Sequence, residues 1–402
     1  MTLSSSIDIG MSGLLGFSQE LQTISNNVAN LNTPGFKGSE SQFSDLFSQD
    51  NSSAGGSGQA TGDGLQVLPA VINFAPGQTT QTGITTNMLN SGNSFFVLKD
   101  PTTGQISYTQ DGQFSFNSSG ELVDSTGKLH VQALSSSGQL TDLTQAGLQI
   151  NAPKATTTIT LDGNMPSNSA TVAAGSITVF DSNGATHTLN ATFTDSTTSP
   201  GTWSVSITDS AGNAVASGGS FVFTNGNLSA SGNNSFAFTY TPTGASALNL
   251  TLKLDPATTT SIASTSASTL QVESVDGNTG GTVTNASFNS NGTLVLTYSN
   301  QKTANGPTVA LANFSSNADL HVYGAGNNTF VVANNNEAQL GTAGSNSAWG
   351  TITAGSIEAS NVDLSTEFSK IIITQRGYQA ASELVSTANQ MMQNVLGMKG
   401  QG

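Results

Sequence analysis

Apolar side chains recur every seventh position at both ends of this 402-residue chain, and the long stretch between them carries no helical period. At the N-terminus Leu3, Gly10, Phe17, Ile24 and Leu31 form one series, and Ile7, Leu14, Leu21 and Val28 a second, offset by three or four. These are a and d positions, the pattern of a helix that packs along other helices. At the C-terminus Leu364, Ile371, Tyr378, Val385 and Met392 repeat the spacing, with Ala381, Ala388 and Val395 at the companion positions. Ser360, Asn361 or Asp363 can cap that helix and Gly397 can stop it, which gives it a length of about 50 Å. The two helices could pair within one chain. Association between copies is the reading favoured by the pattern, because two helices cannot bury a two-sided apolar seam and the middle supplies no third. On that reading residues 1–31 and 360–402 are disordered in a free chain, around a protease-resistant core of about 70–355.

The first helix stops abruptly in "SNNVANLNTPGFKGSES", residues 25–41. Asn30, Asn32 and Thr33 can bond nearby backbone groups, Pro34 removes a donor, and Gly35 permits a positive φ. Phe36, Lys37 and the apolar "FSDLF" (43–47) follow, a run poorly suited to water. From there the chain reads as strands such as "SFFVLKD", "TWSVSITD" and "GTLVLTYSN", punctuated by turn sequences such as "DSNG" and "TNGN". Ser/Thr/Ala/Gly-rich stretches at 155–175 and 255–286 mark where the chain enters and leaves an inner module. The expected fold class is mainly β with α-helical termini, its domains nested. An N-terminal helix (1–38) leads through a linker (39–70) to a middle β domain (71–150 and 286–357). That domain carries an inserted outer β domain (151–285), and the C-terminal helix (358–402) closes the chain.

Charged residues are 8% of the chain, against roughly 25% in ordinary globular proteins. The net charge of −15 and nine scattered basic residues leave no patch for nucleic acid or anionic lipid. Cysteine is absent, which excludes disulfides and thiolate chemistry. No basic n-region or apolar h-region opens the chain, and no run of 18 apolar residues occurs, so export without a cleaved signal is expected. "DSTGKLH" (124–130), "DSNGATH" (181–187) and "DSAG" (209–212) read as turns rather than metal loops. They lack further carboxylates, and His130, His187 and His321 lie far apart in sequence. No catalytic constellation, cofactor motif or metal site is expected. Arg376, the single arginine, sits mid-helix and calls for a partner on another helix or another copy.

Three stretches carry a family resemblance. "ISNNVANLNTPGFKGSES" is similar to the N-terminal signature of the flagellar rod and hook axial family. "VDLSTEFSKIIITQRGYQAASELVSTANQMMQNVLGM" resembles its C-terminal signature, with Gln375, Arg376, Tyr378 and Gln379 at the heart. "ISYTQDGQFSFNSSGELVDSTGKLHVQA" looks like the family's internal hairpin, with Gln110 and Asp111 where the family often has an arginine and a small residue. The resemblance implies a self-polymerising subunit of an extracellular tube that passes torque from rod to filament. The large outer insert points to the hook position. Implied partners are further copies, a distal rod protein, cap and hook–filament junction proteins, and the type III export apparatus. It implies that the terminal helices form the inner tube and that Asn30, Asn32, Thr33, Pro34, Gly35, Phe36 and Lys37 pack against neighbours. The alternatives are a distal rod protein of the same family, or a β-rich adhesin binding glycans at exposed Trp203 or Tyr240.

Overall fold

The computed structural model describes residues 3–48, 61–229, 234–324, 328–332, 338–346 and 348–399. The fold is mainly β, with one long α-helix at each end. The chain divides into two compact units. One holds Met1–Ala146, Ala286–Val295 and Asn305–Gly402, the other Gly147–Asn285 and Leu296–Ala304.

In the first unit, helix α1 (Leu3–Ala29) and helix α2 (Leu364–Lys399) pack on one another, although they lie at opposite ends of the sequence. Strand β1 (Ser39–Ser48) pairs antiparallel with β2 (Thr61–Ile72), from Ser39 opposite Ile72 to Ser48 opposite Thr61. The linker expected at 39–70 is therefore an ordered hairpin over 39–48 and 61–70, while 49–60 lie outside the described residues. The reason is tertiary. The hairpin packs on α1, where Phe43 and Leu65 lie against Gly16.

The same unit contains a ten-stranded sheet. At its centre lies Phe95–Lys99, flanked by Ile106–Thr109 and His130–Leu134. Phe95, Phe96, Val97 and Leu98 are all at most 1% exposed. A run without alternation is what a strand covered on both faces requires. Phe74 meets Phe330 edge-on with ring centroids 5.3 Å apart, and Phe314 meets Tyr108 at 4.9 Å. Two short pairings lead the chain back toward α2: Ile352–Ala354 with Met88–Asn90, and Ser356–Glu358 with Thr79–Gln81.

In the second unit a nine-stranded sheet surrounds a core that includes Trp203, Phe193, Phe221 and Leu252. Thr202–Asp209 shows the expected alternation, with Trp203, Val205 and Ile207 buried and Ser204 and Ser206 exposed. The register slips between Ala173 and Ser176, where Gly175 supplies φ +78° for a bulge. Trp203 is fully buried and its indole nitrogen donates to Ser261 Oγ at 3.2 Å. The expectation of an exposed Trp203 is corrected: the ring is core, so it offers no sugar platform.

Candidate functional site: the helix pair and its junction

Three passes of the chain meet where α1 ends. Asn30 N–H still bonds back to Asn26 O and Thr33 N–H to Asn30 O, and then Pro34 forces the backbone out of the helix. Gly35 turns at φ +66°, and its N–H donates to Glu358 O at 2.8 Å. A Cβ there would lie 2.6 Å from Asp111 N, so glycine is required by both dihedral and space. Asn328 Nδ2 donates to Pro34 O at 2.9 Å, holding the turn to the β domain.

Lys37 then enters a buried pocket. Its ammonium donates to Glu358 Oε1 at 2.8 Å and to Ala75 O at 3.0 Å, with the two side chains 1% and 8% exposed. Glu358 also accepts from Gly77 N–H. A buried pair of this kind is worth little net against apolar residues, but losing one partner costs about 3–5 kcal/mol because a bare charge remains. Asn361 adds a second clasp: its Oδ1 accepts from Gly38 N–H at 2.8 Å, and its Nδ2 donates to Asn73 O and Ala75 O. A third clasp joins the helices. Asn27 Nδ2 donates to Glu367 Oε2 at 3.2 Å and to Ser39 O at 2.9 Å, and Lys370 bonds Glu40 and Glu367. Of the three residues that could cap α2, Asp363 does so, accepting from Thr366 N–H at 2.7 Å. That hydrogen bond holds its carboxyl below the usual range.

Asp111, pressed against Gly35, has its carboxyl pushed up to about 6 by burial, with the nearby Asp124 charge adding to the effect. Its single described acceptor bond comes from Gln113 N–H.

The helices approach through small residues. A Cβ on Gly10 would meet Val385 Cγ2 at 2.5 Å, and one on Gly377 would meet the Phe17 ring at 2.6 Å. Ile24 is buried, and Ile7, Leu14, Phe17, Leu21, Val28 and Leu31 are half-buried. The Leu3 side chain lies outside the described ones. On α2, Ile371, Val385 and Met392 are half-buried and Ala388 buried, while Leu364, Tyr378 and Val395 are exposed. The disorder expected of 1–31 and 360–402 is corrected for the described helices, which pair within one chain with the hairpin as third element. Pairing covers one face only. Phe368, Ile372, Ile373, Leu384, Met391 and Leu396 stay exposed on α2, and Met11 and Leu15 on α1. A groove of about 630 Å³ runs between Ser6 and Ile9 of α1 and Ala380, Leu384 and Met391 of α2.

Of the linker motif, Gly35 and Lys37 are buried, Asn30, Thr33, Pro34 and Phe36 half-buried, and Asn32 exposed. Gln375, Arg376, Tyr378 and Gln379 are exposed, and among the described residues Arg376 has no ion-pair partner. Asn27, Glu358 and Glu367 are invisible to a reading by apolar period, since polar residues carry none, and Asn361, a cap candidate by sequence, serves as a clasp instead. The turn sequences behave as turns: Asp181 Oδ1 accepts from Asn183 and Ala185 N–H, and Asp209 Oδ1 from Ala211 and Asn213 N–H. Among the described residues no helix is long and apolar enough to cross a membrane.

Three family profiles match the chain: "Flagella basal body rod protein" at residues 7–37, "Flagellar hook protein FlgE/F/G D1 domain" at 91–165, and "Flagellar basal body rod FlgEFG protein C-terminal" at 353–398. The chain is 30% identical to the flagellar hook protein FlgE of Escherichia coli K12, over 97% of this chain and 98% of that one. It is 29% identical to the flagellar hook protein FlgE of Treponema pallidum, with the same shares covered. A crystal structure of Helicobacter pylori flagellar hook protein FlgE2 aligns over 68% of this chain and 98% of that one, at 12% identity and a TM-score of 0.47.

Proposed function

The chain belongs to the flagellar hook protein FlgE family, and from that premise we propose how this structural subunit assembles. Copies stack through the apolar flank that the helix pair leaves open, and the junction at Gly35, Lys37 and Glu358 fixes the angle at which each β domain leaves the stacked helices. The observation that carries this reading is that pairing covers one face of α2 while Phe368 and Ile372, one turn apart, stay more than half exposed. Apolar residues one turn apart on an open face are what a neighbouring helix buries. Exposed Arg376 and Tyr378 lie on the same helix and are available to a neighbouring copy.

The finer partners and the route follow the same reading: a distal rod protein below, cap and junction proteins above, and passage unfolded through the type III apparatus to the flagellum outside the cell. Sparse charge suits a joint that bends, because few ion pairs lock neighbouring β domains in one register.

The test is Phe368→Asp with Ile372→Asp, introduced into a strain lacking the native gene. Both side chains are exposed in the single chain, so the purified variant should melt within about 2–4 °C of wild type, each surface change being worth within about 0.5 kcal/mol. The cells should export the variant and build no hook visible by electron microscopy. Hooks of normal form would sink the reading.

A further inference from the structure

Glu121, His130 and Asp142 are scattered in sequence, and folding brings them together. Glu121 directly precedes the strand Leu122–Asp124, His130 opens His130–Leu134, and Asp142 closes Leu140–Asp142. One ligand atom from each lies within 4.8 Å of the other two. His130 Nδ1 stands 3.3 Å from Asp142 Oδ2, and His130 Nε2 stands 3.7 Å from Glu121 Oε2. The carboxylates missing from "DSTGKLH" are thus supplied by the strands on either side.

Hydrogen bonding around the group leaves acceptors in surplus. Asn117 Nδ2 donates to Glu121 Oε2 at 2.9 Å, and Gln132 Nε2 donates to Asp142 Oδ1 at 2.6 Å. Those two amides orient the carboxylates and leave Glu121 Oε1 and Asp142 Oδ2 unclaimed by amide donors. Such orienting bonds are what outer-shell residues provide around a metal. Gln132 is itself 1% exposed, and its Oε1 has no partner among the described residues. That oxygen belongs to the same amide whose nitrogen bonds Asp142, and a buried acceptor without a donor next to the group is accounted for by a water or an ion there. The His130, Glu121 and Asp142 side chains are 13%, 31% and 40% exposed, so an ion can enter from solvent.

We propose that Glu121, His130 and Asp142 form a site for one borderline divalent cation of the zinc type, which staples three strands of the first unit. Imidazole and carboxylate are both ordinary zinc ligands, and two ligand atoms on a tetrahedral ion sit roughly 3.3 Å apart. His130 and Asp142 already have that spacing. Glu121, with its extra methylene, turns to complete the set, and water fills the open position.

The untagged full-length chain, stripped with chelator, is titrated with zinc chloride at neutral pH in a non-coordinating buffer. One equivalent should bind, and the melting temperature should rise with zinc concentration. His130→Gln and Asp142→Asn should each weaken binding at least ten-fold, while His187→Gln and His321→Gln leave it unchanged. Asp142→Asn keeps the acceptor for Gln132, so it decides the matter if His130→Gln fails to fold. No saturable binding at millimolar zinc overturns the site, as does binding that survives Asp142→Asn. A loss of stability in His130→Gln that is equal with and without zinc also overturns it, since the imidazole then bridges the two carboxylates by itself.

Discussion

At the scale of single residues, the junction depends on positions that tolerate one chemistry. Gly35 combines φ +66° with a neighbour 2.6 Å from any added Cβ. A left-handed alanine costs roughly 1–2 kcal/mol before the clash is counted. Gly35→Ala should therefore lose more than about 2 kcal/mol in urea unfolding of the first unit, and an unchanged midpoint would mean the turn adapts freely. Asp111 gives a pH signature. Its carboxyl is raised to about 6 in the folded chain, above an ordinary value of 3.8, so the protonated form is the one that folding prefers. Stability from this group is complete below pH 4 and is lost as pH rises through 6. Asp111→Asn keeps the acceptor for Gln113 N–H and removes the titration. The variant's advantage over wild type should grow between pH 4 and 6 and level off on the order of 3 kcal/mol. A difference independent of pH would show that Asp111 is not held in a dry site.

At the scale of elements, the helix pair relies on glycines that a helix by itself would reject. Gly377 lies in the middle of α2, where alanine would be favoured by about 1 kcal/mol on propensity alone. The Phe17 ring occupies the space an alanine Cβ would take, 2.6 Å away. Gly377→Ala should therefore lower the melting temperature despite its better propensity. Adding Phe17→Ala should recover part of that loss, a coupling that a double-mutant cycle measures. If Gly377→Ala stabilises the chain, the ring has room to turn and the close approach is incidental. The hairpin β1–β2 shows the same dependence from the other side. Ser12 Oγ accepts from Leu65 N–H at 3.2 Å, and Ser41 Oγ donates to Thr23 Oγ1 at 3.0 Å. A two-stranded hairpin by itself is marginal in water, and α1 supplies the surface it packs on.

At the scale of the whole molecule, each unit holds one of the chain's two tryptophans, Trp349 in the first and Trp203 in the second. Each can therefore be followed separately in single-tryptophan variants. Ile24→Asp puts an unpaired carboxylate in the buried face of α1, where Ile24 is 2% exposed, at a cost of several kcal/mol. The Trp349 transition should move to lower temperature and the Trp203 transition should stay in place. Equal shifts at both would show that the units unfold as one.

The sequence by itself determined the fold class, the two terminal helices, the breaker at Pro34 and Gly35, and the alternation of strands such as Thr202–Asp209. These are set by periods of 3.5 and 2 and by φ preferences, which act over a few residues and need no partner. Only the tertiary structure decided which face of each helix is covered, that residues 39–48 and 61–72 form a hairpin on α1, and that Trp203 is core. It alone joined Lys37 to Glu358, Asn27 to Glu367, and His130 to Glu121 and Asp142. Such polar pairs have no period, and pairs like Lys37–Glu358 and Asn27–Glu367 lie more than three hundred positions apart. Their energy comes from desolvation and geometry that exist once the chain has closed, and no local pattern encodes either.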